Sequence, residues 1–134
     1  MSLVRKVVLY MVAQLGEVDV RRLMYLLYLV DRELFYLCGF TLFEWRFVYS
    51  GLRSFDVYDV VDELVDLGYL DKVVRENDVV YRFRREEVRF ELSSQLKDVV
   101  DKVLEKTRGI DELAQLEEHV LKRIDPNIVD IAGL

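Results

Sequence analysis

Apolar residues recur at helical spacing through the first third of the chain and predict two helices. From Leu3 to Leu15 they fall three or four residues apart, as on one face of a helix. Ser2 is a suitable N-cap for this helix, and Gly16 is a suitable stop. A second and more apolar pattern runs from about Asp19 to Leu37 and ends before Gly39. We expect this second helix to lie at the centre of the core.

The pattern changes to strict alternation after the second helix, which predicts a strand. From Phe43 to Tyr49, large aromatic side chains alternate with polar ones, as on a strand with one buried face. The dipeptide Ser50-Gly51 interrupts this strand. Ser54 or Asp56 is placed to cap a third helix, which Gly68 ends.

Two short β-type runs follow and predict a hairpin. They are Tyr69 to Arg75 and Val79 to Arg84, separated by three polar residues. Within that separation, Asn77 and Asp78 suit the positive φ of a tight turn.

Two further helices complete the pattern, over about Leu92 to Thr107 and from Ile110 to Ile124. Pro126, the only proline of the chain, closes the last helix because proline cannot continue it. We expect the tail up to Leu134 to be loose or packed against a partner. The aliphatic stripe of the helix that ends at Thr107 is a candidate surface for a homodimer.

This order of elements predicts an α+β, mainly helical fold in a single domain, residues 1–134. The helix that runs directly into a hairpin over residues 60–84 resembles the second half of a winged helix, in which the recognition helix leads into the wing. We therefore expect a winged-helix-like core with a β-hairpin wing over about residues 1–90. Two added C-terminal helices over about 91–125 and a short tail, 126–134, follow it.

Composition and charge narrow the classes of function. The chain has 25 acidic and 19 basic residues and a formal net charge of −6, so the protein as a whole should not attract nucleic acid. The longest apolar run, Leu23 to Val30, is far shorter than the roughly 20 residues of a membrane-spanning helix. The single cysteine, Cys38, cannot form an internal disulfide, and no secretory cleavage pattern is recognisable. We expect a cytoplasmic protein with no membrane contact, and we expect Cys38 to be buried.

Three segments of the chain carry a broader resemblance: LMYLLYLVDRELFYLCGFTLF at 23–43, FVYSGLRSFDVYDVVDELVDLGYL at 47–70, and VVDKVLEKTRGIDELAQLEEHV at 99–120. Together they resemble the Panacea family, the SocA-like antitoxin-associated domain. A Tyr-x-Gly-Pro-type turn of that family matches Tyr49 onward, with Leu52 in place of the proline. The resemblance implies recognition of another protein, such as a toxin or a degradation partner, rather than catalysis.

The predicted third helix carries the first candidate site, a stripe of acidic residues. Asp56, Asp59, Glu63 and Asp66 fall on one side of it, opposite the apolar face, and the helix has no basic residue. This stripe would repel a phosphate backbone. It is either a solvated surface, a docking site for a basic partner, or a mimic of the charge of DNA.

The hairpin and the residues after it hold the densest group of basic residues. Candidate DNA contacts there are Arg75, Arg82, Arg84 and Arg85. The same region has an equal number of acidic residues, so ordinary exposed ion pairs are the alternative interpretation.

His119 is the only histidine of the chain and lies in the predicted last helix. A lone imidazole with carboxylates one, two and seven residues away does not have the spacing of a metal site. The resembled family has a histidine in its late helix, which makes His119 a candidate partner contact; a structural or surface histidine is the alternative.

No phosphate-binding glycine loop, nucleophile elbow or zinc-protease motif is present in the sequence. We therefore expect no enzymatic activity, no metal and no cofactor.

The favoured hypothesis is a non-enzymatic regulatory protein-interaction module, antitoxin-associated, that binds a protein partner through its aromatic first half and its acidic helix. The alternative is a dimeric winged-helix transcriptional regulator that binds DNA through the arginine-bearing wing. We expect most of the aromatic residues to pack in the core, and any exposed ring would mark an interface.

Overall fold

The computed structural model describes residues 1–84 and 91–131. The first helix, α1, spans Leu3–Leu15, and the second, α2, spans Val20–Cys38, each within about one residue of the prediction. The side chains of Ser2 and Asp19 cap them by accepting hydrogen bonds from backbone N–H groups of the first turn. Gly39 ends α2 in the left-handed conformation, at φ 77°, which favours glycine.

The remaining elements are short strands and three more helices. The strands β1 to β6 and the helices α3 to α5 have these bounds: β1 Glu17–Asp19, β2 Trp45–Val48, β3 Gly51–Arg53, α3 Phe55–Asp66, β4 Leu70–Arg75, β5 Asp78–Phe83, α4 Ser94–Thr107, α5 Leu113–Leu121 and β6 Val129–Asp130. The predicted α+β, mainly helical fold is confirmed over the described residues.

The first sheet has three antiparallel strands in the order β1-β5-β4. The predicted hairpin is therefore present, and β1 adds a third strand, with Val18 opposite Tyr81. The positive φ of the hairpin turn falls on Glu76, at 52°, so the prediction that Asn77 and Asp78 adopt it is wrong. Asp78 instead begins β5 opposite Arg75 of β4, which leaves a loop of two residues.

The second sheet has the order β3-β2-β6. Ser50-Gly51 turns the chain back so that β3 pairs antiparallel with β2, rather than only interrupting the strand. The C-terminal segment supplies β6, which runs parallel to β2 with Val129 opposite Trp45. The predicted loose tail is thus wrong for its described part, because Val129 is buried against the protein itself.

The two C-terminal helices are present, but α5 is shorter than predicted. The segment before α5 closes a turn in which the N–H of Ile110 donates to the oxygen of Thr107, and the helix proper begins only at Leu113. The aliphatic stripe of α4 packs against α1 and α2, and Val99, Val100 and Val103 are buried there. That stripe is therefore part of the core and is not a free homodimer surface.

Helix α2 forms the centre of the core, as predicted. It contacts α4, α5, β1, β3 and β5, and its middle turns are almost entirely buried. Its last turn extends past the core, so Cys38 is exposed, contrary to expectation. Among the described residues, no helix has both the length and the apolar character to cross a membrane.

A buried tyrosine on α2 holds the chain after α5 in place. The hydroxyl of Tyr28 donates to the backbone oxygen of Arg123 at 2.7 Å and accepts from the N–H of Asp125 at 3.0 Å. The Asp125 carboxylate in turn accepts from the hydroxyl of Tyr36 at 2.5 Å and from the N–H of Asn127. Two residues of α2 therefore position the segment that leads into β6.

Replacing Tyr28 with Phe should lower the free energy of unfolding by about 1–3 kcal/mol, because it leaves a buried N–H and a buried C=O without their partner. Urea denaturation, followed by the fluorescence of the single tryptophan, measures the loss. Tyr49→Phe is the matched control, since Tyr49 is fully exposed and should tolerate loss of its hydroxyl. Equal stability of the two variants would contradict this role.

Candidate functional site

Helix α3 presents the predicted acidic stripe to solvent. Its buried side consists of Val57, Val60, Val61 and Leu64, which pack towards α1 and β4. Every acidic residue of the helix lies on the other side and is exposed. Because a helix turns 100° per residue, acidic residues that recur every three or four positions lie on one side, and the apolar residues between them lie on the other.

Only part of this acidic face is neutralised. Glu63 forms an ion pair with Arg5 of α1, with an Oε2 to Nη2 distance of 2.6 Å, and Asp56 accepts from the backbone N–H of Glu44 at 3.2 Å. Within residues 1–84 and 91–131, neither Asp59 nor Asp66 has an ion-pair partner.

Two large apolar residues lie on the same exposed face, one at each end of α3. Phe55 is 59% exposed and Leu67, just after the last turn, is 56% exposed. Neither residue is among the predicted site residues, although both lie outside the apolar periodicity of the helix and could have been recognised for that reason. We refer to Phe55, Asp56, Asp59, Asp62, Glu63, Asp66 and Leu67 as the α3 face.

The structure places the candidate DNA-contacting arginines on the first sheet, where the described ones meet carboxylates. Arg75 and Arg82 both contact Glu17 of β1, at 3.3 and 3.2 Å. Arg84 lies 3.5 Å from Asp71 of β4. The two arginines that share Glu17 lower the pKa of its carboxyl. Arg85 lies outside the described residues.

His119 lies on α5 away from the α3 face, and its neighbours belong to α2, α4 and α5. It is half-buried, and its backbone oxygen accepts from Nη1 of Arg123 at 2.9 Å. Burial and the positive charges of Arg123, Lys122 and Lys106 lower the pKa of the imidazole. The structure therefore does not join His119 and the acidic stripe in one site.

The aromatic residues of the first half divide into core and surface. Tyr25, Tyr28, Phe43 and Trp45 are buried, and the Tyr28 and Trp45 rings meet edge to face at 5.5 Å between centroids. Among the aromatic residues up to Tyr49, the exposed rings are Tyr36, Phe40 and Tyr49. Packing in the core is thus the role of the largest aromatic side chains, and the exposed rings lie at the end of α2, in the following loop and at the β2–β3 turn.

A buried carboxylate on α2 is the main polar feature that sequence analysis did not identify. Asp31 is fully buried and accepts three hydrogen bonds, from the N–H of Leu42 at 2.8 Å, the N–H of Phe43 at 3.0 Å and Nε1 of Trp45 at 2.8 Å. Burial raises the pKa of Asp31 to about 6, against the lowering effect of its three donors. A charged residue in the middle of the most apolar helix was the available signal.

The geometry around Asp31 assigns it a structural role. Its two oxygens accept from groups of its own chain, and the side chain has no exposed surface on which a substrate could act. Elsewhere in the described ranges, no three His, Cys, Asp or Glu side chains gather closely enough to hold a metal ion.

No protein family, curated protein or solved structure matches this chain.

Replacing Asp31 with Asn should lower the free energy of unfolding at pH 7 by about 1–3 kcal/mol. Asn has one acceptor oxygen, and its NH₂ group would face a buried N–H donor that then has no acceptor. Urea denaturation measures the loss, and Asp59→Asn is the matched control because Asp59 is an exposed helical aspartate. An Asp31→Asn protein as stable as this control would show that the three donors do not need the carboxylate.

Proposed function

We propose that this chain is a non-enzymatic, cytoplasmic regulatory module that binds a basic segment of a protein partner on the α3 face. The observation that carries the proposal is the unbalanced charge of that face. It exposes five carboxylates, and Asp59 and Asp66 have no cationic partner in the part of the chain that the structure describes.

Repulsion between the carboxylates of α3 favours binding of a cation to the α3 face. Asp59 lies three and four residues from Asp62 and Glu63, and Asp66 lies four and three residues after them. Like charges at these spacings destabilise a helix by about 0.2–0.5 kcal/mol per pair. Lys72 approaches Asp62 only to 4.0 Å and relieves little of this repulsion. A basic partner would remove it.

The apolar residues of the α3 face favour a protein over a simple counterion. Phe55 and Leu67 lie at opposite ends of a helix of 12 residues, which is about 18 Å long. Exposed aromatic side chains such as Phe55 are enriched at protein interfaces, and complementary charges steer association. A basic segment with two apolar residues at that spacing fits the face.

The resemblance of residues 23–43, 47–70 and 99–120 to the Panacea family supports the antitoxin-associated form of this proposal. It implies protein recognition as the role of the chain. A toxin or a degradation partner with a basic segment would satisfy both lines of argument.

The alternative, a winged-helix transcriptional regulator, is favoured by one observation. Helix α3 leads within four residues into the β4–β5 hairpin. The strand between α1 and α2, β1, pairs with this hairpin. Against it, the helix in the position of a recognition helix is the acidic one, and Arg75 and Arg82 contact the same carboxylate, that of Glu17. We therefore rank it second.

Neutralising the unpaired acids should weaken partner binding. We expect the double variant Asp59→Asn and Asp66→Asn to bind about fivefold or more weakly, and wild-type binding to weaken with salt. Tagged protein is cross-linked in native lysate, the captured proteins are identified by mass spectrometry, and the purified candidate is then titrated with each variant.

The matched control is Asp98→Asn with Glu112→Gln, which changes the net charge equally at exposed residues away from α3. A partner that binds both double variants equally well would contradict the α3 face as its site. So would a captured partner without a basic segment.

The DNA-binding alternative predicts salt-sensitive binding to duplex DNA, whereas the proposed function predicts none. We expect no change in the fluorescence anisotropy of a labelled random duplex at low salt. Glu17→Gln sharpens the test, because it frees Arg75 and Arg82 from their carboxylate and should strengthen any wing contact. Micromolar binding by the wild type that collapses as salt is raised would establish the alternative.

A further inference from the structure

A pocket of about 320 Å³ lies between α2, α4 and α5 and gathers the basic side chains of three elements. Its lining includes Arg32 of α2, Lys106 of α4, His119 of α5 and Arg123 just after α5. Leu29 and Val103 contribute apolar surface. We refer to this site as the basic pocket.

The charge of the basic pocket is opposite to that of the protein. The chain carries a net charge of −6, yet the pocket lining has three permanent cations and one carboxylate, that of Glu33. Glu33 is already engaged, since it accepts from Lys102 at 3.0 Å and lies 3.8 Å from Lys106. Among the side chains that line the pocket, cations therefore outnumber carboxylates.

Arg32 has unused hydrogen-bonding capacity at this site. Its Nε is buried and has no hydrogen-bond partner anywhere in residues 1–84 and 91–131. Its guanidinium lies over the ring of Tyr36, 5.3 Å from the centroid, and the hydroxyl of Tyr36 is held by Asp125. Buried donors are rarely left without an acceptor, so Arg32 keeps hydrogen-bonding capacity that the described residues do not use.

A second arginine is held in position at the same pocket. Nη1 of Arg123 donates to the backbone oxygen of His119 at 2.9 Å, one turn earlier, which fixes the side chain beside the cavity. The remaining N–H groups of a guanidinium form a planar fork that matches the oxygens of a carboxylate or a phosphate. Two arginines constrained by different contacts thus border one small cavity.

We propose that the basic pocket binds a small oxyanion, either a phosphate or a carboxylate group, between Arg32, Lys106 and Arg123. The volume lies near the lower limit of roughly 300 Å³ for small-molecule sites, which suits a free anion or a small metabolite bearing such a group. This site is separate from the α3 face, and its existence does not depend on the proposed function.

His119 provides a direct readout, because it is the only histidine of the chain and its ring proton resonances need no assignment. The neighbouring cations disfavour its protonation, and a bound anion would offset them. Occupancy of the pocket should therefore raise the pKa of His119 by at least about half a unit.

The experiment is a proton NMR titration of His119 in intact protein. Inorganic phosphate is the first probe and succinate the second, each added at constant ionic strength with chloride as the balancing salt. We expect a saturable shift of the His119 resonance and a raised pKa with at least one probe. Saturation by phosphate alone identifies a phosphate site, and saturation by succinate alone identifies a carboxylate site.

Lys106→Gln should weaken this binding at least about fivefold, because it removes one of the three cations. Lys106 is exposed on α4, so the variant should fold, and an unchanged urea midpoint verifies that. Lys97→Gln is the matched control, with the same charge change at an exposed residue of the same helix that does not line the basic pocket. The proposal is overturned if neither probe gives a saturable shift, or if both variants weaken binding equally.

Discussion

The second sheet of this protein depends on one buried carboxylate. Asp31 lies in the buried middle of α2 and accepts from two backbone N–H groups and the indole of Trp45. An unpaired charge in this position would cost several kcal/mol, so the middle of α2 can be buried only if the chain of residues 42–45 closes over it. That closure places Trp45 at the start of β2, to which β3 and β6 both pair.

The polar groups of α2 act together along one helix. Tyr28 holds the segment after α5, Asp31 holds the loop before β2, and Tyr36 holds the carboxylate of Asp125. Since β2 and β6 pair with one another, these three residues fix both partners of the same parallel strand pair. The ring of Tyr36 also supports Arg32, so the arrangement that positions the C-terminal segment also orients a side chain of the basic pocket.

Local periodicity predicted the elements that are long enough to carry it. Helices α1, α2 and α3 and the β4–β5 hairpin follow from spacing and turn residues within a single stretch of chain. Strands β1, β3 and β6 have two or three residues each, too few for an alternating pattern, and β1 and β6 exist because of partners more than 60 residues away. The prediction that Cys38 is buried is wrong for a related reason. Periodicity identifies which face of a helix is buried, but it does not show where along its length the helix leaves the core.

The same distinction separates the two candidate sites. The acidic stripe of the α3 face lies on one helix, so its composition and its exposure could both be predicted from spacing. The basic pocket could not, because Arg32 and Lys106 are 74 positions apart in the sequence, and the surplus of acidic residues in the chain conceals a local surplus of cations. The net charge of a protein describes its long-range electrostatic field and does not predict the local charge of the residues that line a cavity.

Helix α1 is one element through which the two sites could influence each other, since it packs against both α3 and α4. Its polar contacts are Arg5 with Glu63 on α3 and the hydroxyl of Tyr10 with Asp101 on α4. Both contacts lie at the surface, where such pairs contribute about 0–1 kcal/mol, while allosteric coupling typically requires 1–3 kcal/mol. A side-chain route of this kind is too weak to transmit much binding energy.

Strong coupling would require α1 to move as a rigid body, and its fully buried residues Val7, Val8 and Met11 oppose that movement because close-packed cores tolerate little displacement. The fold therefore favours independent behaviour of the α3 face and the basic pocket.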